Sequence, residues 1–487
     1  MTWRWMTVGL WGCLLLGAAA AQAQHQPSGG PAPGSLPVDV QAALKGAGVP
    51  AEAMAVYIAD VQGPRPQVRL AHREGAAMNP ASLMKLVTTF AALDLLGPAH
   101  VFTTAVHVDG VVREGGVLAG NLVIRGTGDP QLVIERLWLL LRRVQGLGIR
   151  RIEGDIVLDR SAMQVPEQDP GLFDGEPTRP YNAQPDALLI NYKSIVLTFV
   201  PDRVAGVARV SAEPGLQGVQ IPTQIPLATA GDCGDWRGAL RADVSSPDRL
   251  RFAGAYPASC GERVWPMAYA DPRNYARRAV EALWRDMGGE LTGTVREGQV
   301  PAGLKPAFES TSPPLAQLVR DINKFSNNVM ARQLFLALSQ RERGTGTPEA
   351  SRDVVARWWK ERIGGAASAD DALPVLDNGA GLSRQERISA QALARLLQVA
   401  WASPLMPDLA ASMPLAGVDG TLRRGVRLQG AAHLKTGSLR DVAALGGYVH
   451  TEGGRRLVLV AIVNHPQAQA ARPALEALVR WAARAHP

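Results

Sequence analysis

Lysine is scarce in this 487-residue chain, which has seven lysines among 51 basic residues, so that 51 minus 7 leaves 44 arginines. Aromatic residues make up only 5% of the chain. The eight histidines are scattered and form no His-Glu-x-x-His pattern, so the sequence predicts neither a metal site nor a cofactor. The net charge is +7, but the arginines form no dense stripe with interleaved aromatics, which argues against a nucleic-acid binder.

Long apolar runs are also absent beyond the N-terminus, which excludes a later membrane span. The first 23 residues have the pattern of a removable export signal: Arg4, an apolar stretch at 6–20, and a cleavage site after about Ala23. Residues 24–36 are expected to form a flexible leader. A lipoprotein site at Cys13 is disfavoured because Trp11 occupies a position that prefers a small residue. The sequence therefore predicts a periplasmic protein.

Cysteine is the rarest reactive residue, with three copies, one of which leaves with the predicted signal. The remaining pair, Cys233 and Cys260, predicts one disulfide in an oxidising compartment, and two buried free thiols are the alternative. Closing this loop would stabilise the fold by about 3 kcal/mol on the chain-entropy model. Neither cysteine has the neighbours of a catalytic or metal-binding thiol.

Two of the few lysines occur in short motifs that suit a serine acyl-enzyme. Lys85 ends the only Ser-x-x-Lys sequence in the chain, which begins at Ser82, and Lys435 begins the only Lys-Thr-Gly. A desolvated lysine near another cation can become the neutral amine that a serine hydroxyl needs as base, whereas arginine stays charged. Ser326-Asn327-Asn328 lies between the two motifs.

The local sequence agrees with this chemistry. Asn79-Pro80 is typical of a helix start, and apolar residues then recur at helical spacing until Gly97. Ser82 is therefore expected in the first turn of a buried helix, with Lys85 one turn further on the same face. Lys435 is expected on a strand at the edge of an antiparallel sheet.

Ser-x-x-Lys, Ser-x-Asn and Lys-Thr-Gly in this order resemble the class C low-molecular-mass penicillin-binding proteins, the type-4 D-alanyl-D-alanine carboxypeptidases and endopeptidases. Ser82 and Ser326 are 244 residues apart, and Ser326 and Lys435 are 109 apart. The long first interval suits this family, because its catalytic domain is interrupted there. The phrases Gly126-Thr127-Gly128-Asp129-Pro130 and Asn378-Gly379-Ala380-Gly381-Leu382-Ser383-Arg384 also resemble it.

The resemblance implies an α/β (α+β) fold, a penicillin-binding, serine β-lactamase-like transpeptidase domain with an antiparallel sheet flanked by helices. Two inserted, mainly β domains are expected to interrupt it. Residues 37–98 and 305–487 would form the catalytic domain and residues 99–161 and 263–304 the inserted domain II. Residues 162–262 would form a nested domain III.

The resemblance also implies roles for the first two motifs. Ser82 would be the acylated nucleophile and Lys85 its general base, with the path of the proton left open. Ser326 would lie against Lys85 and relay a proton to the leaving amine. Asn328 would bind the substrate amide and Lys85.

The third motif would bind the substrate. Lys435 would supply positive charge that lowers the pKa of Lys85 and attracts the terminal carboxylate. Thr436 would bind that carboxylate, next to Gly437, and the backbone N–H groups of Ser82 and Ser438 would form the oxyanion hole.

One further residue is a weaker candidate. Asp186, or alternatively Tyr181, could reach over the cleft to the substrate's side chain, although a turn before a strand explains both residues equally well.

The sequence thus predicts a D-Ala-D-Ala carboxypeptidase or D,D-endopeptidase that acts on peptidoglycan stem peptides and is inhibited covalently by β-lactams. A β-lactamase and a catalytically silent peptidoglycan-binding scaffold are the alternatives. At most peripheral membrane contact is expected, through the final helix. The oligomeric state stays open.

Overall fold

The computed structural model describes residues 35–63, 66–364, 373–425 and 430–484. The predicted export signal, and all but the last two residues of the predicted leader, lie outside these ranges. No helix within the described ranges is long and apolar enough to cross a bilayer.

The first sheet joins strands from both ends of the chain. Its five antiparallel strands, in spatial order, are β17 (Ala432–Leu439), β18 (Val442–His450), β19 (Arg456–Asn464), β1 (Met54–Asp60) and β2 (Val68–His72). β1 pairs with β19 along its whole length, from Met54 opposite Val463 to Asp60 opposite Leu457. This pairing closes the central part of the fold across some 400 residues of sequence, so the antiparallel sheet predicted for the transpeptidase fold is confirmed.

Helices cover both faces of this sheet, because its strands alternate between two cores. In β19, Leu457 and Leu459 face one core and Val458 and Val460 face the other. On the first side lie α1 (Val38–Gly46) and α11 (Arg472–Ala483), the predicted final helix. On the second side lie α2 (Met84–Leu96), α6 (Leu315–Phe325), α7 (Asn328–Arg343), α8 (Pro348–Arg362), α9 (Ala390–Trp401) and α10 (Met406–Ser412).

The second sheet belongs to the insertion. It contains β3 (Thr103–Arg113), β4 (Val117–Gly126), β5 (Arg151–Ile152), β6 (Ile156–Asp159), β14 (Glu290–Leu291), β15 (Val295–Glu297) and β16 (Phe308–Thr311), with α3 (Ile134–Gly146) and α5 (Tyr275–Asp286) beside it. The predicted restart of the catalytic domain at 305 is too early, because β16 pairs with β3. The two long helices also make this unit less purely β than expected.

The third sheet is nested within the second. It contains β7 (Ser194–Asp202), β8 (Val207–Glu213), β9 (Gln224–Ala228), β12 (Tyr256–Pro257) and β13 (Arg263–Ala268), and a hairpin of β10 (Ala242–Ser246) and β11 (Arg249–Phe252) and the short α4 (Trp236–Leu240) accompany it. The predicted end of this unit at 262 is wrong, because β13 pairs antiparallel with β7. The two inserted sheets share one apolar cluster.

Cys233 and Cys260 form a disulfide in the nested unit, with a Cα–Cα distance of 4.7 Å. The predicted pairing is therefore confirmed, and the alternative of two free thiols is excluded. Cys260 is buried in the apolar cluster of the insertion, whereas the helix that follows Ser82 packs in a different apolar cluster.

Replacing both cysteines with alanine should lower the free energy of unfolding of the inserted units by about 3 kcal/mol, because the unfolded chain regains the entropy of a 27-residue loop. Denaturant titration followed by tryptophan fluorescence measures this change. If reduction lowers the free energy of unfolding of the wild type but not that of the double variant, the disulfide is confirmed as the cause. Equal stability of the oxidised wild type and the double variant would contradict it.

Candidate active site

Ser82 lies in a tight turn at the start of the central buried helix. The turn Ala81–Leu83 is 3₁₀, and α2 begins at Met84, so Ser82 precedes the α-helix rather than occupying its first turn as predicted. Asn79 is buried and supports the turn, since its Oδ1 accepts a hydrogen bond from the N–H of Ala81 at 2.9 Å. Ala81 has a φ of 47°, a left-handed conformation that non-glycine residues rarely adopt. Such local strain is typical of functional turns.

Two glycines let neighbouring segments approach this turn closely. A Cβ on Gly437, in β17, would lie 2.5 Å from the carbonyl oxygen of Pro80. A Cβ on Gly381, whose φ is 78°, would lie 1.9 Å from the carbonyl oxygen of Ala81. Neither position tolerates a side chain without moving backbone. The nucleophile turn is therefore in close contact with both the Lys-Thr-Gly strand and the segment 378–384.

Lys85 is fully buried and makes three hydrogen bonds through Nζ. Its partners are Ser82 Oγ at 2.9 Å, Asn328 Oδ1 at 2.5 Å and the carbonyl oxygen of Ala380 at 2.5 Å. The oxygens of Asn328 and Ala380 can only accept. When the amine is neutral, its two N–H groups satisfy them, and its lone pair is left for the hydroxyl of Ser82. The geometry therefore suits a general base.

The environment favours that neutral form. Burial, and then the nearby cation of Lys435, hold the pKa of Lys85 well below its ordinary value; Arg332 adds to this effect, and Glu386 opposes it. Both desolvation and a like charge destabilise the ammonium ion. Lys85 thus becomes available as a base closer to neutral pH than an exposed lysine does.

Sequence reasoning missed Glu386, which shapes the loop that contacts Lys85. Its buried carboxylate accepts hydrogen bonds from the N–H groups of Asp377, Asn378 and Gly379 at 2.9–3.2 Å. Burial raises its pKa. These bonds hold the loop that directs the carbonyl of Ala380 at Lys85. The only indication in the sequence was the position of Glu386, two residues after the family-like segment 378–384.

The Ser-x-Asn motif is the junction between two helices. Helix α6 ends at Phe325, Ser326 adopts a left-handed conformation with a φ of 55°, and the side chain of Asn327 caps α7 by accepting from the N–H of Met330. The middle residue of the motif thus has a structural task. The junction turns Ser326 and Asn328 toward the cleft.

Ser326 contacts Lys435 and not Lys85, which corrects the predicted contact. Nζ of Lys435 donates to Ser326 Oγ at 2.8 Å and to the carbonyl oxygen of Thr436 at 2.8 Å. All three positions on the amine of Lys85 are occupied by other partners, which leaves none for Ser326. Lys435 is fully buried, and its burial lowers its pKa to about 7.

The cleft at Ser82 has a volume of about 830 Å³. Ser326, Asn328, Thr436, Gly437 and Ser438 line it together with the nucleophile. The hydroxyl of Thr436 forms a hydrogen bond of 2.9 Å with that of Thr421. Four arginines, at positions 384, 424, 440 and 472, also line the cleft, together with the carboxylates of Asp174 and Glu476, so the described part of its wall has more positive than negative side chains.

Asp186 does not reach this cleft, so its predicted contact with substrate is wrong. Its buried carboxylate is paired with Lys193 at 2.8 Å and with Arg160. Although burial alone would raise it, these two cations keep the pKa of Asp186 below its ordinary value. Asp186 lines a separate and larger cavity of about 1460 Å³, which contains none of the three motifs.

Tyr181, the alternative candidate, does line the cleft. Its hydroxyl donates to Asp174 Oδ2 at 2.8 Å. Burial, and then Asp174, raise the pKa of Tyr181 to about 12, so it is a neutral donor. Asp174 and its neighbour Phe173 also line the cleft and were not predicted, because no sequence pattern indicates that this loop of the insertion folds back over the nucleophile.

The hydroxyl of Ser82 is hydrogen-bonded to one buried lysine amine, and Ser326, which lines the same cleft, is hydrogen-bonded to a second. This arrangement defines the site of a serine acyl-transfer enzyme. No group of three or more His, Cys, Asp or Glu residues within the described ranges is arranged to hold a metal ion. The model of the D-Ala-D-Ala carboxypeptidase 3 (S13) peptidase family matches residues 37–485. The chain belongs to this family, and it is a serine peptidase.

Two curated proteins and a solved structure illustrate the likeness. The D-alanyl-D-alanine carboxypeptidase of Actinomadura sp. (strain R39) is 29% identical over 414 residues, which cover 80% of this chain and 74% of that protein. The D-alanyl-D-alanine carboxypeptidase DacB of Haemophilus influenzae is 27% identical over 394 residues, which cover 80% of each chain. The crystal structure of penicillin binding protein 4 (dacB) from Haemophilus influenzae aligns with a TM-score of 0.72 at 24% identity, and the alignment covers 91% of this chain and 100% of that chain. The fold is therefore that of the penicillin-binding peptidases.

Proposed function

We propose that this protein cleaves the terminal D-Ala-D-Ala bond of peptidoglycan stem peptides, or the D-Ala-to-diamino-acid cross-link, through an acyl-enzyme on Ser82. The observation that carries this proposal is the distance of 2.9 Å between Nζ of Lys85 and Oγ of Ser82, with the other two positions of the amine occupied by acceptors. A β-lactam presents a similar backbone with a reactive amide, so it would acylate the same hydroxyl.

The geometry supports the following steps for acylation. Lys85 takes the proton of Ser82 as the Oγ–C bond forms, and the backbone N–H groups of Ser82 and Ser438 stabilise the oxyanion. As the C–N bond breaks, Ser326 gives its proton to the leaving amine and recovers one from Lys435, whose pKa of about 7 suits an acid at neutral pH. Before deacylation Lys85 loses the proton it took from Ser82 to solvent in the cleft and Lys435 regains one, so both amines return to their starting states. Water then attacks the ester, Lys85 takes a proton from that water, and it returns this proton to Oγ of Ser82 as the ester C–O bond breaks.

Lys435 and Thr436 are the proposed site of the substrate's terminal carboxylate. They lie on the strand that borders Ser82, among the arginines of the cleft wall. A buried ammonium ion attracts a carboxylate more strongly than an exposed one does, because water screens the charge less. The positive wall also concentrates anionic wall peptides near the cleft.

We also propose that the protein works in the periplasm. The export pattern at residues 1–23 supports this location, as does the disulfide between Cys233 and Cys260, since disulfides persist in oxidising compartments.

The test is to incubate the purified protein with fluorescent penicillin, and separately with a pentapeptide ending in D-Ala-D-Ala and with a cross-linked peptide dimer. We expect a long-lived adduct on the proteolytic fragment that contains Ser82, together with release of D-Ala or of monomer from the peptides. Rapid turnover of penicillin without peptide cleavage would indicate a β-lactamase. An absence of both labelling and cleavage would indicate a binding scaffold. The two peptides also separate carboxypeptidase from endopeptidase activity.

Replacing Lys435 with methionine should slow acylation by penicillin about 100-fold at neutral pH and move its pH profile. The cation of Lys435 lowers the pKa of Lys85. Without this cation the pKa of Lys85 rises, so less of its amine is neutral at a given pH. The ascending limb of the plot of acylation rate against pH therefore moves to higher pH. The second-order acylation rate measured from pH 5 to pH 10 shows the shift.

Lys435→Arg is the matched control for charge. Its guanidinium stays protonated throughout, so the pH at which the rate rises should stay at the wild-type value or below it, whereas the rate itself should fall because a guanidinium cannot give a proton to Ser326. An ascending limb at the same pH in the wild type and in Lys435→Met would show that the two lysines are not electrostatically coupled.

A further inference from the structure

The cavity of about 1460 Å³ that Asp186 lines, called the junction cavity below, lies where the three units of the fold meet. Glu297, on β15, lines it from the second sheet, and Ser245, on β10, lines it from the nested unit. Thr347, which caps α8, lines it from the catalytic unit. Binding sites are common at junctions between domains, and this volume exceeds the range of about 300–1,000 Å³ that is typical for small ligands. The junction cavity therefore suits an extended ligand.

Shared residues connect the junction cavity to the catalytic cleft through a smaller cavity of about 330 Å³. Three residues line both the junction cavity and the smaller one: Gln168, Asp169 and Gln184. Three others line both the smaller cavity and the cleft: Phe173, Leu382 and Arg384. The three spaces thus adjoin one another in series, with Ser82 in the first and Asp186 in the last.

The cations of the junction cavity already have partners. Lys193 and Arg160 pair with the buried carboxylate of Asp186, and Arg273 pairs with Glu167 at 2.8 Å. No other lysine or arginine of the described chain lines the cavity. Carboxylates outnumber cations in this lining, whereas the opposite holds in the catalytic cleft. The junction cavity is therefore unsuited to an anionic ligand.

Neutral polar groups make up much of the remaining lining. Four amide side chains can each donate and accept hydrogen bonds: Gln164, Gln168, Gln184 and Gln299. Four prolines add apolar surface: Pro166, Pro185, Pro247 and Pro272. An N-acetylated sugar matches this combination, because its hydroxyl and amide groups lie at the edge of a ring whose faces carry C–H groups.

The buried part of the lining is fixed to the catalytic unit. The N–H of Asp186 donates to Gln333 Oε1 at 3.0 Å, and its carboxylate is 2.8 Å from Nζ of Lys193. Gln333 is fully buried on α7, the helix that begins with Asn328. A ligand therefore meets a preformed surface that is anchored to the same helix as part of the active site.

We propose that the junction cavity binds the glycan strand that carries the stem peptide, as a chain of N-acetylated sugars. This inference rests on the proposed function and adds a second binding site to it. In a pentapeptide, four residues separate the scissile bond from the sugar, and they span about 14 Å when extended. The sugar must therefore lie outside the cleft of Ser82. The junction cavity, which the smaller cavity connects to that cleft, is the space that fits it.

The first test is calorimetry with a tetramer of N-acetylglucosamine, which contains no peptide. The variants are Gln164→Ala/Gln299→Ala, which removes two exposed amides that line only the junction cavity, and Gln299→Trp, which fills part of it. We expect the double variant to raise Kd about 10-fold, because two hydrogen bonds are lost. Gln299→Trp should raise Kd at least as much.

Gln217→Ala is the matched control, because Gln217 is an exposed glutamine of the nested unit that lines none of the three spaces. It should bind the tetramer like the wild type, and thermal melting shows that each variant is folded. Absence of tetramer binding to the wild type, or an equal Kd in the wild type and both cavity variants, would overturn the proposal.

The second test compares D-Ala release from a disaccharide-linked pentapeptide and from the free pentapeptide. The wild type should have a kcat/KM about 10-fold higher for the linked substrate, mainly through a lower KM, and Gln299→Trp should lose this preference while cleaving the free peptide normally. Equal kcat/KM for the two substrates in the wild type would contradict the proposal. Failure of the proposed function would instead appear as no penicillin adduct and no D-Ala release from either substrate, and tetramer binding would still report on the cavity.

Discussion

Replacing Ser82 with alanine should abolish the penicillin adduct and lower peptide hydrolysis by about 10,000-fold or more, because no other group can form the acyl-enzyme. The variant loses one hydroxyl that receives a single hydrogen bond from Lys85. Its fold should therefore remain intact. Mass spectrometry of the intact protein after exposure to penicillin, and a D-Ala release assay, measure the two effects.

Ser310→Ala is a suitable control, since Ser310 lies on β16 of the inserted sheet and does not line the catalytic cleft. It should label like the wild type. A stoichiometric adduct on Ser82→Ala would place the nucleophile elsewhere and would remove the basis of the mechanism.

Replacing Lys85 with methionine should slow acylation by about 1,000-fold or more while Ser82 remains in place. Methionine has a similar length and no amine, so the hydroxyl of Ser82 loses the group that accepts its proton. The change also leaves Asn328 Oδ1 and the carbonyl of Ala380 without their donor. That loss costs stability but is partly offset, because an amine no longer has to be buried. Stopped-flow acylation kinetics and thermal melting separate the two effects.

Lys85→Arg tests the same role with the charge kept. A guanidinium cannot become a base near neutral pH, so acylation should be lost to a similar extent at every pH up to 10. Lys360→Met serves as control, because Lys360 is exposed on α8. Acylation at more than a tenth of the wild-type rate in both Lys85 variants would exclude this lysine as the base.

The sequence was most informative about local structure and about the chemical groups. The helix after Ser82 and the strands around Lys435 follow from periodicity, which depends on neighbours in the chain. The pairing of Cys233 with Cys260 followed from a count of two in a chain with an export signal. The family signature rests on three motifs in order, and the family match over residues 37–485 confirms it.

The errors concern contacts between distant residues. Ser326 and Lys85 are 241 residues apart, and their packing turns Ser326 to Lys435 instead. Asp186 was placed near substrate, but Arg160 and Lys193 converge on it from other segments and bury it. The unit boundaries at 262 and 305 were early because strand pairing between remote segments, β13 with β7 and β16 with β3, decides where each sheet ends.

By itself, the sequence determined which reactive groups exist, their order along the chain and the helix or strand that presents each one, since these depend on side-chain identity and on neighbours within a few residues. Only the tertiary structure decided which amine faces which hydroxyl, and that Glu386 shapes the loop contacting Lys85. The physical reason is that burial, desolvation and charge pairing are properties of packed space, where residues hundreds of positions apart become neighbours.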